Sequence, residues 1–215
     1  MWNKVQRIYI GSTQVRPTYQ QVEYIQSSWT QCINTWFNVT KNSKILVDIQ
    51  FTSTTVQQRV FGVDNWLNWV SMGSYINGSG KYSRFIGNGW SSFTFQATTI
   101  TADTSRHTFT LDNSRYIITT SWSEVYNTAN SQKITNNPTN NQLAILAQYW
   151  PIEDDYYNYA SAKLYACKIW DNNVLVRDFV PCYKTSNNEI WLLDKVNNQF
   201  YTNSWTWTFT KWPDV

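Results

Sequence analysis

Glycoside cleavage needs two carboxylates held about 5–10 Å apart across the scissile bond, so the four glutamates, Glu23, Glu124, Glu153 and Glu189, are weighed first. None lies in an alternating run of acids that would set two carboxylates on one strand face. Glu153, Asp154 and Asp155 are consecutive, and neighbours on a strand point to opposite faces, so they make a poor acid/base pair and read as an exposed acidic loop. The catalytic set expected from the sequence is therefore empty. The same stretch, EDDYYNY from Glu153 to Tyr159, offers oxygen ligands to a hard cation. Asp154 and Asp155 are the candidate calcium ligands, although the glycine spacing of a known calcium loop is missing. Tyr149, Tyr156, Tyr157 and Tyr159 form the candidate ligand-binding patch, because loops on a rigid scaffold are where binding residues sit. Tyrosines packing the rim of a sheet remain the alternative.

Other reactive side chains are few. His107 is the single histidine, so any Ser-His-Asp or Cys-His site must use it; it sits in the alternating run RHTFTLD. Cys32, Cys167 and Cys182 are an odd set without CxxC spacing, which argues against a disulfide framework or a zinc site and for buried free thiols. Arg177 and Asp178 fall on opposite faces of a regular strand and read as structural. The stretch GSYINGSGKYS, from Gly73 to Ser83, has neither phosphate-loop spacing nor a following helix, and reads as a hairpin loop.

The elements that must position these groups are strands. KILVDIQFTS (Lys44 to Ser53), RVFGV (Arg59 to Val63), FTFQA (Phe93 to Ala97), HTFTLD (His107 to Asp112), RYIITT (Arg115 to Thr120) and LAILAQ (Leu143 to Gln148) are β-branched or aromatic runs of strand length. KLYACKIW, the turn Asp171–Asn173 and VLVRDFV form a hairpin with the expected turn chemistry. EIWLLD, QFYTN and the closing TWTFT (Thr206 to Thr210) follow. Alternation implies one wet and one buried face on each strand. The rhythm predicts an all-β, two-sheet antiparallel sandwich over residues 19–215, preceded by a short strand or attachment segment over residues 1–18.

The balance of 17 Lys and Arg against 14 Asp and Glu leaves no electrostatic footprint for nucleic acid. No apolar run reaches the roughly 18 residues of a membrane helix, and the opening residues lack the apolar block of a secretory leader. No cofactor is implied beyond the candidate calcium. One figure conflicts with the rest: 13 Trp against 7 Gly in 215 residues, where glycine ordinarily makes up about 7% and a turn-rich β chain needs more of it, not less.

Two blocks carry a family resemblance. VEYIQSSWTQCINTWF (Val22 to Phe37) resembles a motif of the form YIxSxGTQYIDTG. KLYACKIWDNNVLVRDFVPC (Lys163 to Cys182), continuing to Val215, resembles KIYxxKIYDNGxLVRDFIPC and its sequel. These motifs belong to the concanavalin A-like, laminin-G-like jelly-roll domains of phage, prophage and bacterial surface proteins. The resemblance implies a jelly-roll sandwich, a strand role for His107, and glycine where this chain has Trp29, Trp36, Trp191, Trp205, Trp207 and Trp212. Six substitutions of one kind suggest one cause, a UGA codon meaning glycine but written as tryptophan; genuine tryptophans serving as sugar-stacking platforms are the alternative. Trp170 falls where the motif tolerates an aromatic, whereas Trp2, Trp66, Trp90, Trp122 and Trp150 stay open.

The resemblance further implies a non-catalytic recognition module for a glycan or another cell-surface receptor, carried on a virion or cell surface, with other virion proteins as possible neighbours and no membrane insertion. A structural tail-fibre or baseplate domain is the alternative. A glycan-cleaving enzyme is less favoured, given the scarcity of paired acids.

Overall fold

The computed structural model describes residues 8–10, 13–15, 19–55, 57–65, 70–88, 94–204 and 208–215. Strands β1 (Ile8–Ile10) and β2 (Thr13–Val15) pair with each other as a small ribbon. The body begins with β3 (Tyr19–Ser28), β4 (Ile33–Asn38), β5 (Ser43–Phe51), β6 (Arg59–Asn65), β7 (Val70–Ile76), β8 (Lys81–Gly87) and β9 (Thr94–Thr101). It continues through β10 (Arg106–Asp112), β11 (Arg115–Thr120), β12 (Ser123–Ala129), β13 (Gln142–Ile145), β14 (Gln148–Trp150) and β15 (Asp155–Tyr157). It closes with β16 (Ser161–Asp171), β17 (Val174–Lys184), β18 (Ile190–Asp194), β19 (Gln199–Tyr201) and β20 (Thr210–Asp214).

These strands form a two-sheet, all-β sandwich. The larger sheet runs β12-β11-β10-β5-β16-β3-β17-β18-β19, with β20 also laid against β3. The smaller runs β15-β14-β6-β7-β8-β9, with β13 joining β4 to β6. Among the described strands, pairing is antiparallel apart from one parallel contact, Tyr149 beside Val63.

Alternation builds the larger sheet as expected. On β5, Ile45, Val47, Ile49 and Phe51 are buried while Leu46, Asp48 and Gln50 are half-buried on the other face. On β10 the inward set is His107, Phe109 and Leu111. Facing them across the core are Val60, Val70, Met72 and Ile76 of the smaller sheet. Edge-to-face aromatic packing links the layers: the Tyr82 ring lies 4.9 Å from Phe109 and 5.1 Å from His107. A buried hydroxyl pair at this depth is self-satisfied, Ser74 Oγ and Tyr116 Oη at 2.7 Å.

The smaller sheet departs from the expectation of one wet face. β7 is buried at every position, and β6 and β8 nearly so. The cause is a second, partly polar layer. The Arg59 guanidinium lies 4.3 Å over the Tyr75 ring and its Nε donates to Gln148 Oε1 at 2.7 Å, while Gln148 Nε2 donates to Asp64. Phe85 fills the space above Gly73, where a Cβ would come within 2.3 Å of the ring.

The closing strand also shifts. The run TWTFT is followed by the observed β20, TKWPD, downstream of the expected span; residues 205–207 lie outside the described set.

Candidate functional site

The site is a cleft of about 690 Å³ where the two sheets meet at one edge. The smaller sheet contributes Asn34 and Trp36 from β4 and Tyr156 from β15, with Asp154 from the preceding turn. The larger contributes Arg177 from β17 and the run Gln199 to Ser204.

Asn34 is the hub. Its Nδ2 donates to Gln142 Oε1 at 2.6 Å and to the Tyr156 hydroxyl at 2.9 Å, and its Oδ1 accepts the Trp36 N–H at 2.8 Å. The far wall is tied to the same strand: Ser204 Oγ accepts the Asn34 N–H and Asn203 Oδ1 accepts the Cys32 N–H, both at 2.9 Å. The lining amides are therefore fixed before any ligand arrives, which removes ordering cost from binding. Arg177 is held from behind. Its Nε faces Asp194 Oδ2 at 3.5 Å, and the fully buried Asp194 spends its other oxygen on the Asp178 and Val196 N–H groups. The cleft thus presents amides, a guanidinium edge, the Phe200 ring and one carboxylate, Asp154.

The proposed tyrosine patch divides. Tyr156 lines the cleft, and burial raises its hydroxyl pKa. Tyr149 is not part of the cleft lining: it is 3% exposed, its ring packs 5.3 Å from Tyr156, and its hydroxyl donates to Asp154 Oδ1 at 2.7 Å. Tyr157 is not part of the cleft lining and is bonded to Glu153, which pushes its pKa up to about 12. The Tyr159 hydroxyl is buried, with no hydrogen-bond partner among the described residues.

The calcium expectation finds little support in the geometry. Asp154 is engaged by Tyr149, and Asp155 Oδ1 accepts the Tyr156 N–H at 2.7 Å. Among the described residues no group of three or more His, Cys, Asp or Glu is placed to hold a metal ion. The three cysteines are free and buried, as expected.

Sequence reasoning missed the run Gln199 to Ser204, because only the fold brings it against Asn34, which lies 170 residues before Ser204 in the chain. It also missed a polar chain at His107. The buried imidazole meets Thr120 Oγ1 at 2.6 Å through Nδ1 and Asp103 Oδ1 at 2.8 Å through Nε2. A second cleft of about 350 Å³ lies beside Thr120, lined also by Asp48, Arg106 and Trp122. Hydroxyl, imidazole and carboxylate stand in the order of a nucleophilic triad. The imidazole, however, is 3% exposed and wedged against Tyr82, so the chain fastens the turn between β9 and β10 to the β11 end.

No family model matches the sequence, and no curated protein matches it. Among solved structures, the heptameric SAP-like pentraxin from Limulus polyphemus is similar at TM-score 0.45 and 11% identity, covering 74% of this chain and 76% of that one. A beta-1,3-glucanase from Mycobacterium marinum is similar at TM-score 0.40 and 13% identity, covering 65% and 67%. A glycosyl hydrolase family protein from Mycobacterium fortuitum gives 0.40 and 14%, covering 65% and 68%.

Proposed function

We propose that this sandwich is a non-catalytic recognition module whose ligand is a glycan, seated in the cleft between β4, β15, β17 and the Gln199 to Ser204 run. The observation that carries this reading is the make-up of the cleft: prefixed planar amides, an aromatic face at Phe200, and a single carboxylate that already accepts from Tyr149. Sugar hydroxyls pair with amide and guanidinium edges, and the apolar face of a pyranose covers an aromatic ring. Hydrolysis wants two acids across a bond, and the described lining offers one. The resemblance of the Lys163 to Val215 block to surface and virion jelly rolls supports display on a virion or cell surface, with residues 1–18 as the attachment segment.

A glycan array with the full chain tests the reading, and binding to at least one neutral oligosaccharide is expected. Phe200, 36% exposed at the cleft, is the substitution of choice. F200A is expected to keep the fold and to weaken binding by more than about fivefold, the cost of roughly 1 kcal/mol or more typical of an aromatic anchor. Absence of binding across the array, or release of reducing sugar by the unmodified chain, overturns the proposal.

A further inference from the structure

The described tryptophans divide by backbone conformation. Trp150, Trp170, Trp191 and Trp212 lie in strands without a left-handed φ, whereas Trp29, Trp36 (within β4) and Trp122 have φ of 80°, 52° and 67°. The left-handed region costs an L-residue with a Cβ about 1–2 kcal/mol, and glycine nothing comparable. Asn and Asp enter it by bonding to their own backbone, and they supply most of the other residues found there. Leu146, also at positive φ, is fully buried and clamped by two backbone bonds, its N–H to Val60 O and its carbonyl from the Ala160 N–H. The three indoles are not buried as Leu146 is: they are 41%, 64% and 98% exposed.

Each position has the local geometry that selects glycine. Ser121 and Trp122 are the two central residues of the β11–β12 hairpin, between the paired Thr120 and Ser123, and both have positive φ. A two-residue turn of that kind takes Asn-Gly or Asp-Gly for preference. The β16–β17 hairpin makes the same turn with Asn172 and Asn173. Trp36 sits where the β4–β13 register slips, Asn38 facing Gln142 but Asn34 facing Ala144, and a left-handed residue in a bulge is ordinarily glycine. Trp29 is the turn residue between β3 and β4, beside the Ser28 N–H bond to Gln31 Oε1.

We infer that glycine occupies positions 29, 36 and 122 in the protein as its own cell makes it, the tryptophans arising from UGA codons that the cell reads as glycine. The surplus of Trp and shortage of Gly then have one origin. The backbone extends the suspicion raised by the motifs to Trp122, and gives no such reason at Trp191 or Trp212, whose strands accept any side chain. It also changes the cleft: the indole at position 36 is absent from the cell-made wall, so the opening above Asn34 and Tyr156 is wider and Trp36 is no part of the ligand platform.

The coding DNA gives the first test: TGA at codons 29, 36 and 122 with TGG at codon 170 is expected, and TGG at the first three overturns the inference. The second is physical. The full chain carrying W29G, W36G and W122G together is expected to raise the folded-to-unfolded ratio about tenfold over the chain as written, relief of left-handed strain outweighing the extra freedom of unfolded glycine. W170G, at a strand position where the indole covers Lys44 at 4.3 Å, is expected to lower it. A triple variant less stable than the tryptophan chain, or unable to fold, overturns the claim that these sites require glycine.

Discussion

At the scale of single residues, the chain through Asp103, His107 and Thr120 shows how one buried imidazole is kept in place. With Asp103 ionised, Nε2–H of His107 donates to it and Nδ1 pairs with the Thr120 hydroxyl, so both ring nitrogens are satisfied. Burial alone would raise the Asp103 pKa, but the bonds from His107 and from the Ser105 N–H outweigh it and hold the carboxyl below its ordinary value. A carboxylate depressed in the folded state stabilises the fold above its unfolded pKa, near 3.9, and that contribution fades as pH falls through the folded value. D103N is therefore expected to be less stable than the parent at pH 7 and to lose less on going from pH 5 to pH 2, read as urea midpoints across that range. Asp103 is half exposed, so solvent screening keeps the difference small. An unchanged acid limb would show that the contact carries no stability. The alternation in RHTFTLD made the burial of His107 legible. Its two partners were not, since one comes from the preceding turn and the other from the next strand.

Elements show where periodicity informs and where it fails. β5 and β10 read correctly because one face of each is packed and the other is wet. β6 to β8 did not, because an Arg and an Asp on β6 look like solvent-facing residues until Tyr75, Phe85 and Gln148 are seen to cover them. Gly73 belongs to that layer. A methyl group there meets Phe85 at 2.3 Å and the Phe61 carbonyl oxygen at 2.8 Å. G73A is expected to cost about 1–3 kcal/mol by overpacking, with partial recovery in G73A/F85L, both read by urea denaturation. Pro181 has a different positional meaning. β17 pairs with β16 as far as Phe179 and with β3 from Cys182 onward. The residue without an N–H stands at the changeover, where no ladder bond on that side is lost.

For the molecule as a whole, the two-layer plan was legible from strand rhythm and from the motifs at Val22 to Phe37 and Lys163 to Val215. The cleft was not, because it is made by contacts between chain ends: Asn34 and Cys32 on one side, Asn203 and Ser204 on the other. No local pattern encodes such a meeting. The β1–β2 ribbon pairs only with itself among the described strands, so deletion of residues 1–18 is expected to leave the urea midpoint of the sandwich unchanged within about 0.5 kcal/mol. A large loss would instead make the ribbon part of the folded body.

The cysteines have a practical consequence. Cys32, Cys167 and Cys182 are unpaired and wholly enclosed, and burial raises all three thiol pKa values, that of Cys182 to about 12. Alkylating reagents attack the thiolate, so the intact sandwich should resist them. The three sulfurs are spread over β16, β17 and the residue just before β4, so the order in which they label during gradual denaturation would record which parts of the sandwich come apart first, without any introduced probe.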